Sequence, residues 1–385
     1  MQVPFYRHDM TQKDIAGIAR VVDSPILTSG TVAKEVEQQL AAFFGTKEGL
    51  LVNSWTNGAI ACLMAMGVER NDEVIVPAMT FIASANVAQI LGAKVVFVDV
   101  EADSLLLTPE AAKAFITPKT KVIIPVHLYG RMCDMVGFKK MLQDIGRTDI
   151  KIIEDCAHCF EGTRDGYLPG THSDAAIFSF YATKNVTCGE GGAIVTNDAE
   201  LAEGIRIRRL HGMSAGAVDR FKAGHYRPWD MLELGVKANL PDLLAALLPE
   251  QIKTIRQRLE KRTASATYYR EKLASTPIRF PKEINGVLNA EHIFPIHVPP
   301  AVRDETIRIL NDNQIQVAIN YNSVPLTQYY QRTYGHQASD HPVSSEWGAG
   351  TLTLPFFPSI SREEIDYVMD VINRVVVPVV EKAQS

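Results

Sequence analysis

The chain has 385 residues, 46% of them hydrophobic and 22% charged, with a formal net charge of −5. That length buries a full core without staples, and the composition excludes global disorder. The mild acidity leaves no basic field for nucleic acid or an anionic membrane surface, and no apolar run reaches the roughly 18 residues of a membrane-spanning helix. The opening Met1-Gln2-Val3-Pro4-Phe5-Tyr6-Arg7 lacks the apolar stretch of a signal peptide. The five cysteines are too few for a disulfide framework. The chain therefore reads as cytoplasmic.

Short apolar runs, most of them rich in Val and Ile, occur at Gly49–Val52, Glu73–Pro77, Lys94–Val100, Lys121–His127, Lys151–Cys156, Ala175–Phe180 and Gly192–Asn197. They predict buried strands. Helical stretches intervene, among them Gly58–Met66, Ile82–Leu91 and Asp134–Ile145. This alternation predicts an α/β domain with about seven strands, mostly parallel, layered between helices. In such sheets ligands collect at the carboxyl ends of the strands.

Residues 241–273 predict a long helical segment, with Pro249 as a kink or break. Its charges (Arg256, Arg258, Glu260, Lys261, Arg262) read as a solvated helix joining two domains. Residues 278–372 read as a smaller α+β domain. Its predicted strands are His292–Val298 and Gln316–Tyr321, and its predicted helices are Asp304–Asp312 and Arg362–Val376. The expected division falls between a large domain, residues 1–245, and a linking helix with the small C-terminal domain, residues 246–385.

The chemistry concentrates at strand ends. Phe178-Ser179-Phe180-Tyr181-Ala182-Thr183-Lys184-Asn185 leaves a strand, and Gly189-Glu190-Gly191-Gly192 leads into the next. A lysine placed there forms a Schiff base with a carbonyl cofactor if its pKa is lowered; alone, it reads equally as a surface lysine in a connection. Ile152-Ile153-Glu154-Asp155-Cys156-Ala157-His158 is a hydrophobic strand ending in a carboxylate. Asp155 alone reads as a structural acid. Paired with Lys184, it reads as the partner of a pyridine nitrogen, held protonated by the opposite charge. A protonated pyridine is the electron sink of pyridoxal phosphate.

Two further turns fit that cofactor. Asn53-Ser54-Trp55-Thr56-Asn57-Gly58 is a strand-to-helix turn whose free N–H groups suit a phosphate, although Ser and Thr are also ordinary caps. Ser179 adds a hydroxyl. Pro77-Ala78-Met79-Thr80-Phe81 places Phe81 to stack on a planar ring or to fill the core.

In these motifs the chain resembles the DegT/StrS-type sugar-nucleotide aminotransferases, of the aspartate aminotransferase-like fold type I. The resemblance spans nearly the whole sequence, from Pro4-Phe5 to Leu354-Pro355-Phe356-Phe357-Pro358. The family's Glu-Asp-x-Ala-His is Glu154 to His158, its Phe-Ser-Phe-x-x-x-Lys-Asn is Phe178 to Asn185, and its Glu-Gly-Gly is Glu190 to Gly192. Members that make UDP-4-amino-4-deoxy-arabinose look similar around Lys184.

The resemblance implies a pyridoxal 5'-phosphate enzyme with Lys184 as the catalytic lysine and Asp155 on the pyridine nitrogen. It puts His158 near the phenolic oxygen and Phe81 on the ring face. Trp55 (through its backbone N–H), Thr56 and Ser179 would hold the phosphate, completed by Asn239 of the neighbouring subunit. The site would then be shared across a homodimer. The substrates it implies are glutamate and a keto sugar attached to a nucleotide, aminated at carbon 4 or carbon 3, for surface polysaccharide or lipopolysaccharide sugars. The family often has Gly where Trp55 stands and His where Asn320 stands, before Tyr321. The Trp55 ring is thus expected to crowd or line the substrate pocket, and Asn320 and Tyr321 to face the sugar. A sugar dehydratase on the same cofactor is disfavoured, because such relatives carry histidine in place of the lysine. A non-catalytic regulator is disfavoured by the intact Lys184–Asp155 pair.

Other features read plainly. Cys156 and Cys159 flank His158 in a CxxC spacing with no second ligand pair, so buried cysteines are expected and no metal. His211-Gly212 reads as a turn. Arg220 to Arg227 reads as a solvated loop or a segment touching a diphosphate. The apolar run Leu243 to Leu248 reads as a core seam or a subunit contact.

Overall fold

The computed structural model describes residues 1–214 and 228–384. In chain order its strands are β1 (Glu48–Val52), β2 (Glu73–Pro77), β3 (Lys94–Val98), β4 (Thr120–Ile123), β5 (Lys151–Asp155), β6 (Thr163–Arg164), β7 (Ala175–Ser179), β8 (Gly192–Thr196), β9 (Val287–Leu288), β10 (Phe294–His297) and β11 (Thr351–Leu354). Seven of them form one sheet in the order β1-β8-β7-β5-β4-β2-β3. Strands β7, β5, β4, β2 and β3 pair in parallel, while β8 runs antiparallel to both β1 and β7. All seven predicted strands are therefore present.

The strand sequences are apolar on both faces because the sheet is covered on both. Val74, Val76, Val122 and Ile177 enter one core with helix Trp55–Ala65. Their neighbours Ile75 and Ile123 enter a second core with helix Met135–Asp144, and Ala176 and Phe178 a third with helix Thr31–Phe44. Alternation along each strand sends successive side chains to opposite faces.

A further core lies around β10 and β11 and includes Val3, Tyr269, Leu273, Phe294 and Leu352. Helix Pro249–Leu273 bridges it to the sheet: Ile252 and Ile255 pack with the third core, Ala266 and Tyr269 with this one. Pro249 stands at the helix start, where its missing N–H costs nothing, after a short helix at Asp242–Ala245. Ala245, Leu247 and Leu248 lie in the third core and Ala246 is also buried, so the run is largely a core seam.

Three expectations are corrected. The charged helix is not solvated throughout. Arg258 and Arg262 sit four residues apart on an inward face and are 7% and 1% exposed. Arg258 pairs with Asp9 at 2.7 Å, and Arg262 pairs with buried Glu161 while its Nε donates to Ala290 O. Gln316–Tyr321 is not a strand. It makes a single bridge, Ala318 to Thr353, because Tyr129 Oη then holds Asn320 O at 2.6 Å and the chain leaves the sheet. The partner of β10 is β11. The helix from Arg362 continues past Val376: its last part opens into a π turn at Ile372–Val376, just before Pro378, and runs on to Gln384.

Among the described residues no helix is long and apolar enough to cross a membrane. All five cysteines are buried and unpaired, Cys156 and Cys159 included. His211 and Gly212 form the expected turn. The segment Arg220 to Arg227 lies outside the described residues.

Candidate active site

The carboxyl ends of β1, β2, β5 and β7 meet at one cavity of about 630 Å³. Asp155, His158, Lys184, Trp55, Thr56, Ser179, Phe81, Asn320 and Tyr321 all line it. Nine of the ten predicted site residues are thus brought together, from segments up to hundreds of residues apart. Asn239 is the exception. Within its own chain it accepts from Lys237 Nζ and donates to Ser29 Oγ, each at 2.6 Å, outside this cavity.

At the end after β1, Ser54 caps helix Trp55–Ala65 by accepting the Asn57 N–H at 3.1 Å. The N–H groups of Trp55 and Thr56 stay free of helical partners and carry the positive dipole end. The approach of β8 to this turn is close enough to require glycine. A Cβ on Gly192 would lie 2.6 Å from Phe178 O and 3.0 Å from Trp55 N. Trp55 lines the cavity, with its ring turned into the protein. It is 5% exposed, belongs to the sheet core, and donates Nε1 to Ile177 O at 3.1 Å. The indole fills space beside β7 and satisfies its N–H there.

Asp155 ends β5. Its Oδ1 accepts from the Ala157 N–H at 3.0 Å and its Oδ2 from Ser84 Oγ at 2.7 Å. Burial pushes its carboxyl up, opposed by those two donors and by the charge of Lys184. Glu154, its neighbour, faces the other way into a closed network. It accepts from Gly170 N and Ser173 Oγ and pairs with His127 Nε2 at 2.7 Å, while His127 Nδ1 accepts the Cys133 N–H. With Cys156 these form a buried His-Glu-Cys group. The histidine and carboxylate atoms already have protein partners, and the network anchors the end of β5.

Lys184 stands in the turn after β7, its N–H held by Tyr181 O at 2.9 Å. Burial lowers its ammonium to about 8, and the nearby Asp155 carboxylate pulls it back up. Among the described residues it is the one cation lining the cavity. His158 Nδ1 accepts the Tyr129 N–H at 3.2 Å, so the neutral ring carries its proton on Nε2, 3.1 Å from Tyr321 Oη. Burial, with Lys184 and His292 beside it, holds His158 well below the usual histidine range. Phe81 is 53% exposed, its ring toward the cavity with Tyr321 at 5.7 Å between centroids.

Sequence reasoning missed Ser84 and His292. Ser84 lies one turn after Phe81 on the buried face of helix Ala83–Ile90. A serine among alanines at that spacing is the available signal. In the sequence His292 only opens a predicted strand, yet its Nε2 lies 3.5 Å from Lys184 Nζ.

Comparison with known proteins finds relatives along nearly the whole chain. A model of the DegT/DnrJ/EryC1/StrS aminotransferase family matches residues 8–373. The spore coat polysaccharide biosynthesis protein SpsC of Bacillus subtilis (strain 168) is 33% identical over 371 residues, 95% of either chain. The sugar aminotransferase Spr1654 of Streptococcus pneumoniae, solved in its PMP-form, superposes with a TM-score of 0.91 at 28% identity over 99% of this chain and 100% of that one. DesV of S. venezuelae superposes with a TM-score of 0.87 at 30% identity over 96% of this chain and 97% of that one. The seven-stranded architecture is that of fold type I aminotransferases. The chain belongs to the DegT/DnrJ/EryC1/StrS aminotransferase family, whose cofactor is pyridoxal 5'-phosphate.

Proposed function

We propose that this chain moves an amino group from glutamate onto a keto sugar attached to a nucleotide, at carbon 4 or carbon 3, in the cytoplasm, for surface polysaccharide or lipopolysaccharide sugars. The observation that supports it most is a lysine with a lowered ammonium pKa and a buried carboxylate lining one cavity at the strand ends.

The residues present fit pyridoxal 5'-phosphate. A helix N-terminus and the Ser179 hydroxyl suit its phosphate, Asp155 its pyridine nitrogen, the exposed Phe81 its ring, and Lys184 its aldehyde carbon. When bound, the cofactor supplies an electron sink. Lys184 holds it and, once free, moves protons as general acid and base. Asp155 would keep the pyridine nitrogen protonated, and neutral His158 would lie on the side of the phenolic oxygen. Trp55 and Thr56 bind phosphate through backbone N–H groups, and Asn239 of the partner subunit completes that end in a two-fold dimer. Asn320 and Tyr321 face the sugar; Asn320 Oδ1 is buried with no protein partner, which suits a substrate hydroxyl. The division of the chain at 245/246 belongs to the same proposal, since helix Pro249–Leu273 starts in one core and ends in another.

The test has two readings. The purified enzyme should show a visible band from lysine-linked cofactor that glutamate removes. Mass spectrometry across a panel of keto-sugar nucleotides should then find one aminated product. A stable band in glutamate, with no aminated product, would reject the assignment and favour a binding or regulatory role.

A further inference from the structure

We propose that His292 is a positioning residue for Lys184: its Nε2 lone pair accepts a hydrogen bond from the lysine amine, and Asn185 fixes the tautomer that makes this possible. The inference deepens the role given to Lys184 above.

The geometry determines the tautomer step by step. Asn185 Nδ2 lies 3.0 Å from Ala290 O, a carbonyl that only accepts, so the amide nitrogen must be on that side. Asn185 Oδ1 then faces His292 Nδ1 at 3.1 Å and accepts from it, so Nδ1 carries the proton. His292 is buried, and burial together with the charges of Lys184 and Arg262 keeps the ring neutral. Its one remaining nitrogen, Nε2, is therefore unprotonated and faces Lys184 Nζ at 3.5 Å.

The groups around the amine are Asp155, neutral His158 and neutral His292, with Arg262 behind the second ring. The two imidazoles are in contact, with centroids 4.3 Å apart. His292 is too weak a base to take the lysine proton while Lys184 is charged. Its contribution is directional. It gives the released amine one fixed acceptor, so the flexible four-carbon stem keeps Nζ in the cavity. Because Asn185 follows Lys184 directly, the lysine and the residue that orients its acceptor arrive on the same turn.

The test reads Lys184 itself in the full-length chain stripped of cofactor, so it stands or falls apart from the proposed substrates. Reductive ¹³C-methylation at a series of pH values, quantified on the Lys184 peptide by mass spectrometry, gives the midpoint at which the amine becomes neutral. The parent should show a midpoint near 8. A hydrogen bond to the ammonium favours the charged form. Its loss in His292→Phe should lower the midpoint by roughly half a unit to one unit, raising the methylation rate at pH 7 about three- to fivefold. His292→Gln, which keeps an acceptor, should restore most of the parent midpoint. Asn185→Leu leaves the imidazole in place and should give a smaller shift in the same direction. Equal midpoints in the parent, His292→Phe and Asn185→Leu overturn the proposal. So does a glutamine variant that shifts as far as the phenylalanine one. If His292→Phe does not fold, the other two variants decide.

Discussion

Ser84 Oγ donates to Asp155 Oδ2 at 2.7 Å, tying the helix after β2 to the end of β5. The carboxylate needs that donor because burial alone drives it toward the neutral form. Ser84→Ala should raise the Asp155 pKa further and reduce kcat about tenfold, since a hydrogen bond to a charged group contributes about 1.5–3 kcal/mol. Asp155→Asn should keep the fold and lose about a hundredfold or more. Steady-state rates with matched melting curves check both, and a serine variant at parent rate would remove Ser84 from the site.

Lys184 makes the cofactor-free protein less stable than it need be. Its ammonium falls from an ordinary 10.5 to about 8 on folding. Between those values the unfolded chain binds more protons than the folded one, so stability rises with pH there. The lysine's penalty is complete below pH 8 and fades toward pH 10.5. Lys184→Met should therefore be the more stable protein at pH 7, by an amount on the order of 3 kcal/mol. The gap should narrow by pH 10. Urea titrations at both pH values measure it, and a gap independent of pH would mean the amine is not desolvated.

Gly192 has no room for a side chain. A Cβ would press on Phe178 O and on the backbone of Ser54 and Trp55, where the phosphate end of the cavity is built. Gly192→Ala should cost about 1–3 kcal/mol of stability through overpacking. It should also weaken cofactor binding more than Gly189→Ala, whose site is open but needs a positive φ. Calorimetry and cofactor titration compare them. Equal cofactor affinity in the two variants would detach Gly192 from the phosphate site.

Asn239 bonds to Lys237 and Ser29 rather than to its own chain's cavity. If it completes the site of a partner subunit, mixing Lys184→Ala chains with Asn239→Ala chains should form hybrids with one intact site. Activity should rise above that of either variant alone, to about a quarter of the parent level for random re-pairing, as a two-fold dimer implies. A fully active monomer in sedimentation would withdraw the shared site.

What the sequence determined by itself is local. Seven buried strands follow from seven short apolar runs, because a parallel sheet covered on both faces leaves no polar alternation. Asp155 and Lys184 are legible because each ends such a run, and in this topology strand ends converge. The tertiary structure decided the rest. Ser84 reaches Asp155 across 71 residues and His292 reaches Lys184 across 108, and neither pairing leaves a periodic trace in the chain. Arg258 and Arg262 read as solvated because charge signals exposure; Asp9 and Glu161, distant in sequence, let them be buried. Trp55 shows the same limit. Its place at the helix start is legible in the sequence, but its ring turns toward Ile177 O on β7, a carbonyl that folding brings beside it and that also accepts the Cys156 N–H.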